Sequence, residues 1–204
     1  MKFVEKTLIN PVWPLGGMPS IVILNGSPRL NGNTSWLITQ LTNTLTKSSA
    51  HTVQVLRLHE YQIKPCQACD WCMNEYPLSC VQHDDMNALY PVLLDADTIV
   101  LASPIYWFHY SGQLKLIIDR LYALHVAGGH ALQGKRFAAI FVYGDHDEVA
   151  SGVRNAIGSY KALVTYLDGI DLGVVSGTAM RIGDAQHNQA LRDAVHDLSA
   201  KLRT

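Results

Sequence analysis

Apolar residues along this chain fall into two kinds of run, and the two kinds alternate. Short unbroken runs rich in Val and Ile read as strands buried on both faces. They occupy residues 21–24 (IVIL), 98–103 (TIVLAS) and 136–143 (RFAAIFVY), and residues 52–58 and 170–175 complete a set of five. Between them apolar positions recur every three or four residues, the spacing of one helix face. Leu37, Ile38, Leu41 and Leu45 make the first such face. Met86, Leu89, Val92 and Leu93 make the second, in a helix opened by Asp84 or Asp85 and interrupted by Pro91. Residues 112–124, 148–167 and 184–202 supply three more, with stripes ending at Leu121, Leu167 and Leu202. Strands that alternate with helices predict an α/β fold, a doubly wound five-stranded parallel sheet, because parallel neighbours need a crossover. The expected strand order is 2-1-3-4-5, which puts ligands at the carboxyl ends of strands one and three.

Composition narrows the partners. Hydrophobic residues at 48% against 16% charged fit a compact globule, expected as a single domain over residues 20–204. Residues 1–19 hold Pro11, Pro14, Gly16, Gly17 and Pro19 and are expected to form an irregular arm. A net charge of −1 argues against a nucleic-acid partner, which calls for a clustered basic face. No apolar run approaches the ~20 residues of a membrane helix, and no export signal is legible, so the expected location is the cytoplasm. In that compartment the four cysteines read as thiols or metal ligands, not disulfides.

Chemistry is concentrated at the strand ends that the topology singles out. After strand one comes N-G-S-P-R-L-N-G, then Asn33, Thr34 and Ser35 at a helix start, where they offer cap chemistry. A strand, a glycine loop and a helix N-terminus make an anion site, with backbone N–H groups and the positive end of the dipole facing the ligand. The hydroxyls of Ser27, Thr34 and Ser35 and the guanidinium of Arg29 suit a terminal phosphate. This is neither the G-x-x-x-x-G-K-[ST] loop of ATPases nor the G-x-G-x-x-G dinucleotide fingerprint. After strand three, Tyr106, Trp107, Phe108 and Tyr110 put four aromatics into five positions, a wall for a flat heteroaromatic ring. The loop 143–148, with Gly144, is placed to close the ring's other edge.

Two motifs at these two loops carry a resemblance. Gly26, Ser27, Pro28, Arg29, Gly32, Asn33 and Thr34 match G-S-P-R-x-x-G-N-T, and residues 103–120 are similar to S-P-x-Y-W-x-x-x-S-G-x-L-K-x-x-x-D-R. Both belong to the flavodoxin-like NAD(P)H-dependent FMN reductases. The resemblance implies FMN with its phosphate on Ser27, Arg29, Gly32, Asn33, Thr34 and Ser35, and its ring against Pro104, Ile105, Tyr106, Trp107, Phe108 and Gly144. It also implies NAD(P)H as transient co-substrate and a ping-pong cycle to a quinone, flavin or other aromatic acceptor. The flavin carries the chemistry, so no catalytic side chain is required. A homodimer or homotetramer is implied as well. A non-enzymatic binding module on the same fold is the remaining alternative.

Cys66, Cys69, Cys72 and Cys80 use every cysteine in the spacing C-x2-C-x2-C-x7-C. Such thiols can wrap a [4Fe–4S] cluster, although the last gap departs from the ferredoxin run. The motif resembles that of iron–sulfur flavoproteins, which use a cluster to pass electrons to FMN. Followed by Asp84, Asp85 and Met86, it also resembles cluster-free reductases of the same superfamily, in which the thiols are structural or free. Zinc is disfavoured because structural zinc sites space two Cys pairs well apart.

Overall fold

A computed structural model describes residues 20–47, 51–74 and 78–204. The expected arm at residues 1–19 lies outside them. Five strands form the parallel sheet: β1 (Ser20–Asn25), β2 (Thr52–Arg57), β3 (Thr98–Tyr106), β4 (Arg136–Tyr143) and β5 (Ile170–Thr178). Their order is β2-β1-β3-β4-β5, as the alternating pattern predicts. Ile23 pairs with Val55 on one side and Val100 on the other, and Val100 pairs in turn with Ala138. Five principal helices cover the faces: α1 (Asn33–Thr46), α2 (Met86–Asp95), α3 (Gly112–Arg120), α4 (Val153–Tyr166) and α5 (Gln189–Leu202).

The two-residue period of the strands sorts the core into two layers. Ile21, Ile23, Val100, Ala138 and Ile140 face α1 and α5, meeting Leu37, Leu41, Leu191 and Val195. Val22, Leu24, Ile99, Phe137 and Phe141 face the other way, toward Leu89, Leu93, Ile117 and Tyr160 of α2, α3 and α4. Every residue of β1 is buried, whereas the edge strands β2 and β5 are mostly half-exposed.

Several boundaries move for local reasons. The helix expected over residues 148–167 starts at Val153, because Gly152 adopts φ +70° and residues 148–151 form turns. The helix expected over 184–202 is broken at Asn188, whose side chain accepts from the Leu191 N–H at 3.2 Å and restarts it as α5. α3 tightens after Arg120 into a 3-10 turn, Leu121–Leu124. α2 runs through Pro91.

The largest departure is at β3. It continues past Ser103 to Tyr106 and folds back as a hairpin with His109–Tyr110. Trp107 and Phe108 form the two-residue tip with φ of +46° and +67°. Positive φ at both positions is what a tight hairpin turn with native twist demands, a role usually filled by Asn-Gly. Two bulky aromatics in that conformation are strained, and the site holds them there. Buried Tyr110 anchors the returning arm by stacking on Phe141 at 6.0 Å. Gly152 makes room for the tip, since a Cβ on it would lie 2.5 Å from that of Phe108.

Candidate functional site

The corner after β1 is built by side chains that bond to their own loop. Asn25 accepts the Ser27 N–H at 3.0 Å, and Ser27 Oγ accepts the Arg29 N–H at 3.3 Å. The Ser35 hydroxyl donates to the Arg29 carbonyl at 2.8 Å. α1 then begins after Gly32 with no side-chain cap, contrary to the cap role expected of Asn33, Thr34 and Ser35. Among the described residues, the N–H groups of Asn33, Thr34 and Ser35 and the Thr34 hydroxyl find no acceptor or donor. An uncapped helix start with free donors is an anion cradle.

Asn33 has a different task from that expected. Its Nδ2 donates to the carbonyls of Ala179 and Arg181 at 2.9 and 2.8 Å. Its Oδ1 accepts the N–H groups of Gly183 and Ala185 at 3.1 and 3.2 Å. The amide is fully engaged in tying the segment after β5 to the corner, which brings Ala179 and Met180 to the cleft wall. Neither was legible as a site residue: both follow an edge strand, carry no polar group and lie about 150 residues away in sequence.

One cleft is lined by Ser27, Arg29, Gly32, Asn33 and Thr34 from the corner, by Pro104, Ile105 and Tyr106 from β3, and by Tyr143, Gly144 and Met180. Ile105, Tyr143 and Gly144 are shared with an adjoining cleft bounded by Trp107 and Phe108. The corner and the aromatic hairpin therefore meet. Ser35 does not line this cleft; it faces a groove between α1 and β2. The combined space, the free donors at one end and the aromatic wall at the other fit a phosphorylated flavin. Trp107 is 92% exposed, and Leu30, Phe108, Met180 and Ile182 are exposed with it.

Two histidines border the rim. Half-buried His109 contacts the Ser159 hydroxyl at 2.9 Å, and burial with nearby Lys115 pulls its pKa below the usual value. His146 is exposed between Asp145 and Asp147, at 2.5 and 3.0 Å.

The cysteines gather elsewhere, at the far end of α3. Cys66, Cys69, Cys72 and Cys80 line one cleft together with Gln82, Asp119 and Arg120. Ala68 and Asp70, between the first three, adopt φ of +50° and +53°. The N–H groups of Ala68 and Gln82 point at Cys66 Sγ and Cys80 Sγ, each at 3.5 Å. Burial pushes the Cys72 thiol up. Among the described residues no group of three or more His, Cys, Asp or Glu is set to hold a metal ion. A cluster is a different demand, because it places its own iron and sulfide between the thiols and asks for a wider ring of ligands. Four thiols around one cleft, two of them receiving N–H donors, fit that demand by chemistry.

Both ends of the cysteine segment are tied by protein groups. The Asp84 carboxylate accepts the Lys64 N–H at 2.9 Å and the Met86 N–H at 3.1 Å. Asp85 accepts the Gln62 N–H at 2.7 Å, and Gln82 Nε2 donates to the Pro65 carbonyl at 3.0 Å. Arg120 grips Asp84 with both Nη atoms, at 2.6 and 3.2 Å. Burial pushes the Asp84 carboxyl up, but the Arg120 and Lys64 hydrogen bonds prevail and hold it below the usual carboxylate range.

A doubly wound sheet with an anion cradle after β1 and a flat-ring wall after β3 defines a flavin-binding α/β protein of the flavodoxin type. The chain belongs to the NADPH-dependent FMN reductase family, whose sequence profile matches residues 19–165. It is an NAD(P)H-dependent oxidoreductase with FMN as cofactor. It is 32% identical over 178 residues to an iron-sulfur flavoprotein of Archaeoglobus fulgidus, spanning 85% of this chain and 76% of that one. The solved NAD(P)H:quinone oxidoreductase of Methanothermobacter marburgensis matches with a TM-score of 0.70 at 15% identity, over 92% of this chain and 98% of that one. The FMN-dependent NADH-azoreductase of Bacillus anthracis, solved in complex with FMN, matches with a TM-score of 0.70 at 15% identity, over 91% and 100%. At these identities the two structures are alike in fold.

Proposed function

We propose that the chain passes electrons from NAD(P)H to a quinone, a free flavin or another flat aromatic acceptor, the two substrates using one cleft in turn. The observation that carries this reading is the meeting of the uncapped α1 start and the aromatic hairpin in adjoining clefts. FMN, when bound, supplies the hydride-accepting and electron-donating chemistry. The chain's own residues do the rest. The N–H groups of Asn33, Thr34 and Ser35, with Arg29 and the Ser27 and Thr34 hydroxyls, hold the phosphate. Pro104, Ile105, Tyr106 and Gly144 flank the ring, while Trp107 and Phe108 give an incoming ring a surface to stack on. Purified protein should be yellow, bleach with NAD(P)H under anaerobic conditions and recover its colour with a quinone. Bleaching without recovery by any aromatic acceptor would remove the acceptor assignment.

A second reading is favoured by the cysteine cleft: Cys66, Cys69, Cys72 and Cys80 hold a [4Fe–4S] cluster, which would supply one-electron transfer to and from the flavin. It is supported by the four thiols ringing one cleft and by the name of the Archaeoglobus relative. Iron and sulfide analysis after anaerobic reconstitution tests it, and Cys66→Ser should abolish a brown colour. Absence of bound iron and sulfide in the wild-type chain would leave the thiols structural.

The exposed apolar side chains of Trp107, Phe108 and Met180 on the adjoining clefts support a homodimer closed over that face. The free thiols support a reducing compartment such as the cytoplasm. Light scattering on Trp107→Glu, read against wild type, checks the first of these. No helix among the described residues is long and apolar enough to cross a membrane.

A further inference from the structure

We propose that Arg120 positions the cysteine loop and supplies the buried positive charge that sets the reduction potential of a cluster held there. The proposal rests on the second reading above. Arg120 is the last residue of α3 and is only 1% exposed, yet it lines the cleft that the four thiols share. Its Nη1 donates to the Lys64 carbonyl at 3.0 Å and to Asp84 Oδ2 at 2.6 Å, and Nη2 donates to Asp84 Oδ1 at 3.2 Å. One guanidinium thus joins the residue two places before Cys66 to the residue four places after Cys80. Arg120 fixes the span of chain from which all four ligands project.

Charge placement gives the second half of the inference. Arg120 belongs to the cleft wall and Asp84 does not, which sets the cation of the pair nearer the cleft than its carboxylate. The other charged groups at the cleft are Asp70, which is exposed, and Asp119, which is paired with Lys115. Arg120 Nε is buried and has no partner among the described residues. Reduction adds one electron, taken from flavin that NAD(P)H has reduced, to a group whose sulfides and thiolates together already outweigh its iron. No bond breaks and no proton is required. A fixed cation beside that group favours the reduced form, since net charge helps to set such potentials.

Redox titration followed by electron paramagnetic resonance tests this on the full chain after anaerobic reconstitution with iron and sulfide. Iron, sulfide and FMN content are measured alongside. The double variant Arg120→Gln/Asp84→Asn removes both charges together and leaves no lone buried ion. It should show a reduced-to-oxidised ratio at least tenfold below wild type at a fixed potential, a shift of about 59 mV to the negative. Asp84→Asn alone keeps the cation uncompensated and should move the potential the other way. Loosened packing would shift both variants alike, so opposite signs identify the charge. A cluster in the double variant at the wild-type potential overturns the inference and leaves the cluster reading intact. A wild-type chain that binds no iron and sulfide overturns the cluster reading, and this inference with it. Should the double variant fail to fold, Asp84→Asn decides: a higher potential supports the assignment, and an unchanged or lower one overturns it.

Discussion

Two helices begin side by side at the carboxyl edge of the sheet, and they begin differently. α3 is capped: Ser111 Oγ accepts the Leu114 N–H at 3.4 Å, and the Ser111 N–H donates to Ser103 Oγ at 2.8 Å. α1 has no cap, although it is preceded and opened by residues that could furnish one. The two starts are close enough that a Cβ on Gly26, in the α1 corner, would lie 2.5 Å from Ser111 Oγ. Cap chemistry is therefore present at this edge and withheld from α1. A helix whose first donors are left open costs stability in the empty protein and offers those donors to an anion. The contrast separates a start that is closed by a cap from one that is open to a ligand.

The strongest way to break the contrast is to make the open start repel its ligand. Arg29→Glu with Thr34→Ala should weaken FMN binding by about a hundredfold, from two charge-assisted contacts at about 1.5 kcal/mol each. Fluorescence titration reads it, and an unchanged affinity would show that the phosphate lies elsewhere. Asn33→Ala leaves the phosphate donors in place but removes four hydrogen bonds to the Ala179–Ala185 segment. It should cost about 2 kcal/mol in urea unfolding, discounted for the exposure of the bonds, and speed FMN release as Met180 loosens. Ser111→Ala should cost about 1 kcal/mol of stability, as the loss of a cap does, with FMN affinity unchanged. An equal loss of FMN in this variant would erase the distinction between the two starts.

The smallest effect concerns the far end of α3. His130 Nδ1 accepts the Leu132 N–H at 3.1 Å, so its proton sits on Nε2 and is donated to the Leu121 carbonyl at 3.0 Å. Burial depresses its pKa, with the Leu121 hydrogen bond opposing and His125 assisting. Below the unfolded value near 6.5 the unfolded chain binds more protons than the folded one, so stability is full above that pH. It declines as pH falls toward the depressed folded value. The melting temperature should therefore drop on acidification from pH 7, and His130→Gln should flatten that slope.

The sheet was legible because its central strands are buried on both faces, which leaves β1, β3 and β4 as unbroken apolar runs. Both loops of the candidate site were legible for the same reason: polar or aromatic residues at the end of such a run have few structural uses. What escaped reading depends on partners distant in sequence. The Asn33 amide meets a segment after an edge strand, and Arg120 meets Asp84 across 36 residues. The hairpin tip escaped because Trp107 and Phe108 are poor turn formers. The space left by Gly152, the anchoring of Tyr110 and the Asn155 Nδ2 bond to the Phe108 carbonyl at 3.3 Å hold them in that conformation. Ser35, a hydroxyl in the expected place, turned out to face the neighbouring groove, since its bond to the Arg29 carbonyl directs it there.

The cysteine segment closes on itself near residues 62–65 and 82–85, and between those ends Leu78 donates its N–H to the Ala123 carbonyl at 3.0 Å while Cys72 and Cys80 pack against the core. Lengthening such an excursion costs only about 0.6 kcal/mol for each doubling. The span between the two tied ends can therefore change in length at little closure cost, so long as the contacts of Cys72, Leu78 and Cys80 with the core are kept.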